Sequence, residues 1–164
     1  MFKRINDRLV YVLLAVAALL TFLLSFLVVA DVIGRVVFNS PVKGTPEIVS
    51  MSIVIICFLQ ASYAVRSGGM LSVDLVPALL PWRARHALLA AACLLGAGFF
   101  GVIVYGGLDP LAHAWTSGEY EGEGALRIPT WPARLAVIAG AGLAALNYLL
   151  AALRHSQIVL ERKP

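Results

Sequence analysis

Charge is what this sequence has least of. Asp, Glu, Lys and Arg make up 13% of its 164 residues, while 60% are hydrophobic, and mean hydropathy is +0.88. A soluble domain carries about a quarter charged residues. The shortfall excludes a soluble globular fold and indicates an integral membrane protein. Cysteine is nearly absent. Cys57 and Cys93 both sit inside apolar runs with no CxxC spacing, which excludes a disulfide framework and leaves two small apolar side chains. Histidine is scarce as well: His86, His113 and His155 all lie near the ends of apolar segments. A haem or metal site inside a helix bundle needs imidazoles that face one another there. HExxH, P-loop, GxGxxG and nucleophile-elbow motifs are missing too. No catalytic residue, cofactor or metal site is expected, and the chain reads as a non-enzyme. Without a linker or a strong internal repeat, residues 1–164 are expected to form one membrane domain.

Four long uncharged runs are present: Leu9 to Ala30, Ile48 to Val65, Ala87 to Leu108 and Leu135 to Leu153. A helix needs about 20 apolar residues to cross a hydrocarbon core of about 30 Å. Lipid offers the backbone no hydrogen bonds, so each span must be helical. The predicted spans are 9–38, 47–66, 86–108 and 132–154. The fold class that follows is all-α, with four transmembrane helices in two hairpins. The first run starts like a signal peptide, after Lys3, Arg4 and Arg8, but exceeds an apolar signal core, so a retained helix is expected.

The 13 basic residues set the orientation. Lys3, Arg4, Arg8, Arg66, Arg83, Arg85, Arg154, Arg162 and Lys163 lie on one side, and Arg35, Lys43, Arg127 and Arg134 on the other. The richer side is expected to be cytoplasmic, with both termini there. The net charge of +4 is thus explained by topology, and no nucleic-acid partner is expected. The middle loop, residues 66–86, is too apolar for open water. With Asp74, Trp82, Arg83 and Arg85, it reads as an interfacial amphipathic segment between helices 2 and 3, in contact with membrane lipid.

No span carries a charge at its centre, whereas a carrier working alone needs intramembrane ionisable groups or broken helices. Thr21, Ser25, Ser50, Ser52, Gln60, Ser62 and Asn147 are the mild polar groups within the spans, and interhelical hydrogen bonding accounts for them. Stripes of small residues are more pronounced. Cys93, Ala97 and Gly101, with Ala92 and Gly96 beside them, share a face of the third helix, and Ala136, Gly140 and Ala144 share one of the fourth. Gly96, Ala97, Gly101, Gly140 and Ala144 are therefore candidates for close helix packing.

The first outer turn reads VVADVIGRVVFNSPVKGTPEIVSM, residues 28–51. Asp31 and Arg35 stand one helical turn apart. Thr45 is placed to cap the second helix, with Pro46 in its first turn and Glu47 near its positive end. Asp31, Thr45 and Glu47 read as structural. Arg35 and Lys43, two of four bases on the outer side, are the candidates for contact with a soluble partner.

Three segments in order, DVIGRVVFNSPVKGTPEI, FLQASYAVRSGGMLSVDLVPALLP and ALRIPTWPARLAVIAGAGLAAL, resemble the small, DctQ-type membrane subunit of tripartite ATP-independent periplasmic (TRAP) transporters, over about residues 9–153. Met70 departs from the pattern, standing where many relatives carry histidine. The resemblance implies an inner-membrane subunit without catalysis that braces a large elevator-type membrane subunit. It also implies a share in the surface on which a periplasmic substrate-binding protein docks, and ion-gradient-driven uptake, typically sodium-coupled, of an organic acid. Two other classes compete. A membrane anchor of a redox complex would need haem or quinone ligands, which the histidine placement disfavours. A small autonomous exporter would need a central acid.

Overall fold

The computed structural model describes residues 2–67, 81–122 and 127–161. Four helices dominate: α1 (Phe2–Phe38), α2 (Thr45–Ser67), α3 (Trp82–Ser117) and α4 (Trp131–Glu161). A two-stranded antiparallel ribbon, β1 (Tyr120–Glu121) and β2 (Ile128–Pro129), joins α3 to α4 and pairs Tyr120 with Pro129. Each helix contains a stretch long and apolar enough to cross a membrane.

The main helix contacts run from α1 to α2, from α2 to α4 and from α4 to α3. The helices thus form a row in the order α1, α2, α4, α3, with α2 and α4 inside and α1 and α3 at the ends. Burial follows this order. A third (33%) of the most apolar window of α4 is buried within the chain, against 6% for α1. The core forms where α4 meets its neighbours, around Phe100, Ala141 and Ala144 with Phe58 and Tyr148 against them. Small residues make this possible. A Cβ on Gly140 would run into the backbone of Phe58, so α2 and α4 touch main chain to main chain there.

The helices outrun the apolar runs that signal them. At 37 residues, α1 is about 55 Å long at 1.5 Å per residue, well beyond a hydrocarbon core of about 30 Å. The expected outer loop from residue 109 starts later: α3 continues through Pro110 and stops only at Gly118, whose φ of 64° ends the helix left-handed. Proline removes one helical N–H, but its own carbonyl accepts a 2.6 Å hydrogen bond from Arg134 Nη1. The chain has two polar ends. The turn end holds the α1–α2 connection and the ribbon. The opposite end holds the starts of α1 and α3 and the ends of α2 and α4; residues 68–80 lie outside the described residues.

Candidate docking surface at the turn end

The α1–α2 connection is organised by Asp31. It is buried, with 6% of its surface exposed. One carboxylate oxygen accepts from Arg35 Nε at 2.8 Å, and the other accepts from the backbone N–H of Val42 at 2.9 Å, across the turn. The turn itself starts where Asn39 adopts a left-handed φ of 46° and the Ser40 N–H returns to the Gly34 carbonyl at 3.0 Å. Gly34 is required by that return, since a Cβ there would lie 2.8 Å from Ser40 O. Gly44, at φ 82°, then swings the chain into α2.

Thr45 does something other than the expected capping. Its hydroxyl donates to the Val42 carbonyl at 3.0 Å. The first N–H to be taken, that of Ile48, goes to the Gly44 carbonyl at 3.0 Å. Thr45 is already helical, one position too late to serve as the cap acceptor. Glu47 lies in the first turn of α2 as read from sequence, and one of its buried carboxylate oxygens has no hydrogen-bond partner.

The second connection is held by Arg134, which reaches Glu119 at 2.8 Å as well as the Pro110 carbonyl. Arg127 stacks over the Tyr120 ring at 4.7 Å. Trp115 and Trp131 meet edge to face, 5.0 Å between centroids. A cavity of about 380 Å³ opens between α2 and the ribbon, lined by Ser50, Met51, Glu119, Tyr120, Glu121 and Arg134 among others. The bases of this end therefore divide. Arg35, 55% exposed along its side chain, is committed to Asp31, Arg134 to Glu119 and Arg127 to an aromatic face. Among the described residues of this end, Lys43 is the exposed base with neither an ion-pair nor a ring partner.

The packing candidates fall at different places. Ala97 and Ala144 are buried, and a Cβ on Gly96 would press on the Tyr148 ring. Gly101 has open space where a Cβ would go and lies on the exposed side of α3. Trp82 and Arg83 begin α3 and Arg85 follows in its first turn, whereas Asp74 lies outside the described residues.

Five of the polar groups inside the spans fall into two kinds. Thr21, Ser25 and Ser50 bond to carbonyls of their own helices. Ser62 and Asn147 instead join a chain that sequence reading did not anticipate. Asn6 Nδ2 donates to Asn147 Oδ1 at 2.8 Å, and Asn147 Nδ2 donates to Ser62 Oγ at 2.9 Å, linking α1, α4 and α2. An Asp7–Arg66 ion pair lies one residue further along α1. The rings of His86 and His155 approach with their Nδ1 atoms 3.2 Å apart. Partners separated by 85 and 141 positions leave no local signal in a sequence.

Four apolar helices in a row, with polar groups concentrated at the two ends, define a multi-pass α-helical membrane protein. Among the described residues, no group of three or more His, Cys, Asp or Glu side chains could hold a metal ion. The chain belongs to the DctQ component family of the tripartite ATP-independent periplasmic transporters, whose family model matches residues 24–157. It is accordingly a small permease subunit of a transporter in the inner membrane, from a family of transport components and not of enzymes. Comparison with curated proteins and with solved structures gave no match.

Proposed function

We propose that this subunit braces a large elevator-type membrane subunit and presents part of the docking surface for a periplasmic substrate-binding protein. In this role it supports sodium-coupled uptake of an organic acid. Its termini lie in the cytoplasm and its turn end in the periplasm, in keeping with the nine-to-four division of Lys and Arg. The bracing role is supported by α1, which crosses the membrane with 6% of its apolar window buried in this chain. Phe22, Phe26 and Val29 on α1 are all more than half exposed, a surface suited to another helix or to lipid.

The observation that carries the docking role is Lys43, exposed in the turn and without an ion-pair or ring partner among the described residues. A rim charge of this kind steers encounter and makes it salt-dependent. The test is uptake by proteoliposomes holding this chain, the large subunit and the binding protein. Omitting this chain should abolish uptake. Lys43→Glu should raise the half-saturating concentration of binding protein several-fold while co-purification with the large subunit stays intact. Unchanged uptake without the chain would refute the bracing role, and an unchanged half-saturating concentration in the variant would refute docking at Lys43. Arg35→Glu is less informative, because it would set a second carboxylate beside buried Asp31.

A further inference from the structure

At the end opposite the turns, a cavity of about 60 Å³ lies between α2 and α4, lined by Val65, Arg66, Asn147, Leu150, Ala151 and Arg154. Its volume admits a few water molecules, or one phosphate-sized group. Two guanidinium groups converge on it. Arg66 is held by Asp7 from α1, which leaves further N–H donors of its five available. Arg154 is exposed and has no acidic partner among the described residues. Arg8 and Arg85 are also exposed at this end. The remaining lining is an amide and three aliphatic side chains, Val65, Leu150 and Ala151. A cationic cup with an aliphatic wall, where apolar α2 ends, matches an anion that carries a hydrocarbon tail.

We propose that this cavity binds the phosphate of an anionic phospholipid, with Arg154 and Arg66 on the headgroup and the start of an acyl chain against Val65 and Leu150. Guanidinium forks are the preferred protein partners of phosphate oxygens, and basic pockets between membrane helices are suited to such headgroups. Asn147 ties the cup to the Asn6–Ser62 chain, so an occupied site supports the junction of α1, α2 and α4. The proposal requires only that this end lie in a headgroup layer, and it stands apart from the transport reading.

Native mass spectrometry of the full chain in mild detergent, titrated with phosphatidylglycerol or phosphatidylcholine, tests it. Phosphatidylglycerol should bind in preference to phosphatidylcholine. Arg154→Gln should weaken that binding about fivefold, the scale of one basic residue at an anionic surface. Arg85→Gln removes the same charge outside the cavity and should change it less than about twofold. Millimolar inorganic phosphate should not displace the lipid. Equal binding of the two lipids, equal effects of the two arginine variants, or displacement by inorganic phosphate would each overturn the assignment. If Arg154→Gln loses its helical circular dichroism, Leu150→Phe decides instead: it fills the cavity at unchanged charge and must reduce phosphatidylglycerol binding.

Discussion

Asp31 offers the sharpest test of how the turn end is built. Its carboxylate makes two bonds of different worth. The bond to Arg35 ends on a side chain that is 55% exposed, and such a pair contributes under about 1 kcal/mol. The bond to the Val42 N–H is charge-assisted, starts from a residue only 6% exposed and closes the turn. Bonds of this class contribute about 1.5–3 kcal/mol. Asp31→Ala removes both and should cost about 2–3 kcal/mol. Asp31→Asn keeps an oxygen for Val42 and loses the charge, at about 1 kcal/mol. Arg35→Gln should cost less than that. In a chain of this length, 1 kcal/mol corresponds to about 2–4 °C in Tm. Thermal unfolding of the purified chain in detergent, followed by circular dichroism, should therefore show Asp31→Ala lowered by about 4–12 °C and Asp31→Asn by about 2–4 °C. If alanine and asparagine behave alike, or if Arg35→Gln equals Asp31→Ala, then the cross-turn bond to Val42 is not what matters and the reasoning fails.

Two further outcomes can be read in the same melting assay. Gly140→Ala should destabilise by about 1–3 kcal/mol, because its methyl meets the backbone of Phe58 and α2 must shift. Gly101→Ala, which meets nothing within 4 Å, should stay within about 0.5 kcal/mol of the parent, and equal effects at the two sites would contradict the packing described. Asn147→Leu strands both Asn6 and Ser62 and should cost about 1–2 kcal/mol. A neutral result there would mean that the three-helix hydrogen-bond chain contributes nothing.

The number and nature of the helices were legible because lipid demands long apolar runs and leaves the backbone no alternative to helix. Their ends were not. Apolarity reports where hydrocarbon stops, and α3 goes on to Ser117 because Arg134 and the ribbon give it partners beyond that point. Within the first turn, the Asp31–Arg35 pair was visible as an i, i+4 spacing. The Val42 bond was not, since it depends on the path of an eleven-residue excursion. Thr45 shows how narrow such readings are. One residue of difference in where α2 begins turns an expected acceptor into a donor to Val42. Asn147 and Ser62 were recognisable as polar residues that need partners, but Asn6 could be matched to them only once α1, α2 and α4 were placed side by side.

The Asn6–Asn147 bond joins residues 141 positions apart, and this bears on the order of assembly. Helix α1 leaves the ribosome before the other three, and its main packing neighbour, α2, follows directly. Asp7 can pair with Arg66 of α2 at once, but Asn6 beside it has no partner until α4 is in place next to α2. During biogenesis α1 is therefore joined to the rest through α2 alone, by the Asp31 turn at one end and the Asp7–Arg66 pair at the other, until α4 arrives to complete the hydrogen-bond chain.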